Sequence, residues 1–97
     1  MAETFDINVA PHNYYSHLST LHSMHFCASV GNIRISEIDI DDVSWKDDLL
    51  SEKLEIENGE VIIPDRPGWG GDLNEEVARE HVWERGRQRG YSAPAKG

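Results

Sequence analysis

His12, His17 and Glu37 are the residues whose types and spacing suit proton transfer. Imidazole exchanges protons near neutral pH, and a carboxylate carries the opposite charge beside it. His12 follows Pro11 just past an alternating apolar segment, and His17 opens a stretch with helical spacing. Glu37 shares one face of a second alternating segment with Ile33 and Ile35. A carboxylate on an apolar strand face is costly unless something polar meets it. Groups at the ends of successive strands suggest one half of a polar active site, whose other half this sequence does not contain. Plainer readings stay open from spacing alone: His12 as a loop cap, His17 as a solvent-facing first-turn residue, Glu37 on a solvated face if the register slips by one.

The elements that must hold these groups follow from periodicity. Residues 5–10 alternate and are rich in β-branched types, which predicts a short strand ended by Pro11. From Ser16 the spacing becomes helical, with Leu18, Leu21, His25 and Ala28 on one stripe and Gly31-Asn32 as the stop. Residues 33–40 alternate again. Strand, helix and strand joined by short turns predict a right-handed crossover between parallel neighbours. Its own core is thin, because parallel strands are normally covered on both faces. Residues 41–53 read as an acidic loop anchored by Val43, Trp45, Leu49 and Leu50. Asn58-Gly59 between alternating segments predicts a two-residue hairpin turn. A Pro/Gly loop follows, and Asp72 with Glu75 predicts a capping box for a last helix over 73–85. The units expected are therefore 1–53, 54–85 and a basic, disordered tail at 86–97.

Other clusters offer less. His22 and His25 stand three apart on the helix and could share a transition metal, though a helix surface or packed edge is the expected role. Asp39, Asp41, Asp42, Asp47 and Asp48 lack the glycine and terminal glutamate of a calcium loop and read as solvated loop acids. Phosphate-cradling loops, nucleophile elbows and paired-cysteine sites do not occur.

With 97 residues and a net charge of -9, the chain is sized for one acidic domain. Residues 1–83 hold 17 acids against 5 bases, which argues against nucleic acid or an anionic membrane as the main partner. Cys27 stands alone, so no internal disulfide can form, and a buried small hydrophobe in a reducing cytoplasm is expected. Neither a bilayer-spanning apolar run nor a signal-peptide pattern is present.

Four runs carry a resemblance: Pro11-His12-Asn13-Tyr14-Tyr15-Ser16-His17-Leu18, then Arg34-Ile35-Ser36-Glu37-Ile38-Asp39, then Asn58-Gly59, then Ile63-Pro64-Asp65-Arg66-Pro67-Gly68-Trp69-Gly70. In order and spacing, nearly the whole chain to about Trp83 resembles the C-terminal end of an enolase-superfamily protein of the mandelate racemase/muconate lactonizing enzyme group. The resemblance implies an α/β fold, the C-terminal part of a modified (β/α)7β TIM barrel: strand 7, helix 7 and strand 8, then a β-hairpin and a terminal helix. It implies magnesium-dependent proton abstraction next to a carboxylate, with an acid sugar or another carboxylate as substrate. His17 falls where mandelate racemase carries its histidine, and His12 where acid-sugar dehydratases carry theirs. Glu37 matches the eighth-strand glutamate that meets the substrate carboxylate. Gly31 departs from the proline common in relatives.

The metal-binding carboxylates lie, in relatives, upstream of residue 1, so magnesium is expected only in a full-length relative, with none for this chain alone. The isolated chain is expected to be inactive, and its open edges predict weak stability, self-association, or dependence on the missing barrel. A non-catalytic truncated module, folded or self-associating, is the alternative.

Overall fold

A computed structural model describes residues 1–39 and 43–82. Ile40, Asp41, Asp42, the end of the expected last helix beyond Val82, and the expected disordered tail lie outside the described residues.

The chain opens with a 3-10 turn over Ala2–Phe5. The first expected strand is thus shortened to an extended stretch that meets the second at a single parallel bridge, Val9 with Ile33. Val9 N donates to Asn32 O at 2.9 Å, and Arg34 N donates to Val9 O at 3.0 Å. Asn32 Nδ2 adds a bond to Ile7 O at 2.9 Å. The parallel direction matches the sequence expectation, but the strand lengths do not. Among the described residues no further strand lies beside this parallel pair, so it lacks the burial that normally sustains a ladder.

Between the bridged residues runs α1, His17–Ser29. His17, Thr20, Leu21 and Met24 are its buried residues. The buried stripe is therefore rotated from the expected one: Leu21 belongs to both, whereas Ala28 is exposed and Leu18 and His25 are half-buried. Polar Thr20 and His17 go inward because partners wait for them there, which hydropathy alone does not register.

Past the undescribed residues, a 3-10 turn at Asp47–Leu49 leads to Leu50, which is buried and bridges antiparallel to Leu73. The hairpin pairs β1, Glu55–Glu57, with β2, Glu60–Ile62, in the register Glu55 to Ile62 and Glu57 to Glu60. Asn58 at φ 51 and Gly59 at φ 79 both take the left-handed region that this two-residue turn requires. Gly70, at φ 84, lets the loop close on Pro64: a Cβ there would fall 2.3 Å from Pro64 Cγ. Arg66 Nε donates to Gly70 O at 2.6 Å across the same loop.

The last described helix, α2, is Glu75–Glu80, and its N-cap is Asn74, whose side chain accepts from Val77 N. The expected cap at Asp72 is corrected by this. Asp72 is drawn into backbone pairing instead, with Ser51 N donating to its carbonyl at 2.9 Å and Ser51 Oγ accepting its own N–H at 3.0 Å. Among the described residues Leu21, Met24 and Leu50 are the buried hydrophobic ones, and they place the core where α1 meets the Leu50 segment. Among the described residues no helix is long and apolar enough to cross a membrane.

Candidate functional site

The crossover brings His12 and Glu37 together across 25 positions of sequence. His12 Nδ1 lies 2.5 Å from Glu37 Oε2, and the Asn13 backbone N–H donates to the same oxygen at 2.8 Å. A carboxylate can only accept, so Nδ1 carries the proton in this pair and Nε2 is left as the free ring nitrogen. The His12 and Glu37 side chains are 72% and 47% exposed, which leaves both open to a ligand. They line a cleft with Ala10, Pro11, Ile35 and Ser36. The Asn13 N–H first, and then the His12 hydrogen bond, hold the Glu37 carboxyl below its usual range, so the site carries an anion at neutral pH.

Asn13 was not singled out in the sequence, yet it is the best-connected residue here. It is buried, with its Nδ2 donating to Thr20 Oγ1 at 2.9 Å and to Glu37 O at 3.2 Å. Ser19 Oγ donates to its Oδ1 at 3.0 Å. The signal available was an asparagine just ahead of a helix whose first turns carry Ser19 and Thr20.

His17 stands apart from this pair. It is buried, and its Nε2 lies 2.9 Å from Asp47 Oδ1 rather than near Glu37. Burial pushes its imidazole below the ordinary value, against the opposing pull of Asp47. Its Nδ1 is buried without a hydrogen-bond partner among the described residues.

One of the expected loop acids requires correction: Asp39 is buried and receives Lys46 Nζ at 2.6 Å. Asp47 stays exposed, as expected, while its Oδ1 meets His17 Nε2. The lone base in an acidic run was the signal for the first pair, since a buried carboxylate needs a cation. His22 and His25 close on Trp69: the His22 ring lies tilted against it with centroids 4.2 Å apart, and His25 Nε2 donates to Trp69 O at 3.0 Å. They pack a loop, as the packed-edge reading had it.

A magnesium ion calls for carboxylate and water oxygens in near-octahedral array. The described residues do not fit one. Asp39 and Asp47 are committed to Lys46 and His17, Glu37 to His12 and Asn13, and no group of three potential ligands converges among the described residues.

The extended pair, the crossover helix and a histidine facing a glutamate at their ends define an α/β protein with a polar site at the strand ends. Residues 1–77 match the enolase C-terminal domain-like family, and the chain belongs to it. Over 84 residues it is 32% identical to D-xylonate dehydratase of Haloferax volcanii, covering 87% of this chain and 20% of that protein. A Burkholderia xenovorans structure bearing the provisional name L-alanine-DL-glutamate epimerase is 52% identical, with a TM-score of 0.81, over 88% of this chain and 22% of that one. The same provisional name heads a Burkholderia xenovorans structure bound to magnesium and fumarate, 54% identical with a TM-score of 0.77, over 82% of this chain and 20% of that one. A mandelate racemase/muconate lactonizing enzyme-like protein from Rubrobacter xylanophilus is 33% identical, with a TM-score of 0.77, over 91% of this chain and 23% of that one. The chain spans about a fifth of the length of the curated relatives it matches.

Proposed function

We propose that this chain carries the His12 and Glu37 part of the active site of a magnesium-dependent acid-sugar dehydratase or racemase, which works by moving a proton alpha to a carboxylate. The observation that carries the reading is the convergence of His12 Nδ1 and the Asn13 N–H on Glu37 Oε2. That arrangement leaves Nε2 as the nitrogen of His12 able to take or return a proton, on an exposed side chain that lines the cleft. Between the two histidines, the geometry favours His12, because His17 is buried against Asp47. The curated relatives, D-xylonate dehydratase and arabinonate dehydratase, support an acid sugar as the substrate class. The ion's carboxylates belong to polypeptide other than the residues described, in a complete barrel whose seventh and eighth strands this chain supplies, and the isolated chain does not turn over.

The test is turnover of D-xylonate in deuterium oxide, reading solvent deuterium at the alpha carbon of recovered substrate, where the proton returns, and at the beta carbon of the keto acid formed when the beta hydroxyl leaves. The Haloferax volcanii enzyme serves as scaffold, its matching segment replaced by the aligned residues of this chain. Incorporation in the folded chimera, lost in His12→Asn and Glu37→Gln, is the expected result. Incorporation that persists in both variants refutes the reading.

Exposed Phe5, Ile7 and Ile35, at 69%, 56% and 67%, favour a second reading, a non-catalytic self-associating module. Sedimentation of the purified chain separates them: a concentration-dependent oligomer, with no incorporation in the chimera, belongs to the module.

A further inference from the structure

We propose that Asn13 is the positioning residue of the His12 and Glu37 pair, aiming the carboxylate so that His12 donates through Nδ1 and keeps Nε2 as the free nitrogen. This rests on the reading of those two residues as the reacting pair.

Asn13 reaches Glu37 twice and α1 twice. Its backbone N–H donates to Glu37 Oε2 at 2.8 Å, while its side-chain Nδ2 donates to Glu37 O at 3.2 Å. The same Nδ2 donates to Thr20 Oγ1 at 2.9 Å, and Oδ1 accepts from Ser19 Oγ at 3.0 Å. A side chain 1% exposed and bonded in three directions has no rotamer freedom left, so its own backbone N–H points in one direction. That direction is the oxygen His12 also uses. Glu37 is half exposed and would otherwise sample several rotamers in solvent; the Asn13 N–H selects one. The hydrogen bond at one imidazole nitrogen decides which nitrogen is left free, so the selection passes through Glu37 to His12 Nε2. Asn13 touches no ligand in this scheme. It acts through Glu37.

The test is NMR on the full chain with 15N-labelled histidine and backbone. With the imidazole neutral, the wild type is expected to show His12 in the Nδ1–H form. In Asn13→Ala the Nδ1–H signal is expected to be lost, the ring passing to the Nε2–H form or to tautomer exchange. Thr20→Val removes a partner of Asn13 on α1 but leaves both bonds to Glu37. It is expected to lower the urea midpoint and keep the Nδ1–H form. A purely structural Asn13 would instead leave the tautomer unchanged in any variant that folds, and a folded Asn13→Ala with the wild-type tautomer overturns the proposal. Should Asn13→Ala not fold, the wild type still decides: the Asn13 amide shift must follow the Glu37 side-chain titration, and an amide blind to that titration overturns the proposal as well. These readouts need no substrate. Failure of deuterium incorporation with the tautomer result intact would sink the functional reading and leave the positioning role standing.

Discussion

Lys46→Met should cost this chain more stability than loss of any exposed ion pair. The Lys46 and Asp39 side chains are 6% and 2% exposed, and Nζ sits 2.6 Å from Oδ2. Lys46 Nζ also reaches Asp39 O at 3.4 Å. Removing the cation takes a close ion-pair partner from a buried carboxylate, and breaking a buried pair in this way costs about 3–5 kcal/mol. The comparison is Arg79 with Glu75, a bond of similar length, 2.7 Å, whose side chains are 73% and 71% exposed. Such an i,i+4 surface pair contributes only about 0.3–0.5 kcal/mol. Burial, not distance, separates the two. Urea unfolding followed by tryptophan fluorescence reads the difference, and with a slope of about 2 kcal/mol/M the Lys46→Met midpoint should fall by roughly 2 M, against a few tenths for Arg79→Ala. Replacing both members, Asp39→Leu with Lys46→Met, should recover most of the loss, because no charge is then left buried. A Lys46→Met midpoint within the Arg79→Ala shift would refute the burial argument. A double variant as unstable as the single would show that packing, not charge, carries the cost.

Stability should also depend on pH through His17. Burial lowers its folded value, so the neutral form is favoured in the fold. The unfolded chain takes up its proton near about 6.5. The contribution is therefore complete above that pH and lost as pH falls through the lowered folded value; the urea midpoint should drop across this window, and His17→Gln should flatten the slope. Glu37 acts further down: held low by Asn13 and His12, its contribution is present above the ordinary carboxylate value of about 4.3 and lost as pH falls through the folded one, a limb that Glu37→Gln should remove. Gly70→Ala sets a Cβ 2.3 Å from Pro64 Cγ at a backbone φ of 84, and should cost about 1–3 kcal/mol by the same urea assay, with Gly31→Ala, where nothing lies within 4 Å, as the mild control. Equal midpoints for the two would refute the close-packing account.

Elements that depend on neighbouring residues are legible in the sequence. The hairpin is the clearest: Asn58 and Gly59 tolerate positive φ, so the turn type is encoded in two positions and the flanking register follows. The helix beginning at His17 was equally readable, because its spacing and the Gly31-Asn32 stop are local. The parallel direction of the Val9 and Ile33 segments follows from short joins around a helix, although their length as strands does not. Strand length depends on what covers both faces, and that is a matter of neighbours rather than of the strand's own residues.

The site divides the same way. His12, His17 and Glu37 could each be marked by type and spacing, but their partnerships depend on chain closure. Glu37 meets His12 across 25 positions only because the crossover lays the segment after Val9 beside the one after Ile33. The same closure turns His17 inward to Asp47, buries Asp39 against Lys46, and places Asn13 where its N–H and side chain both serve Glu37. None of these is visible in a local pattern, since an acid in a polar run looks alike whether it ends in water or against a lysine. Backbone preferences act over a few residues and are written into composition. Hydrogen-bond partners and desolvation are set by whichever segments the fold brings within 3 Å, so the chemistry available to each side chain is decided at that level.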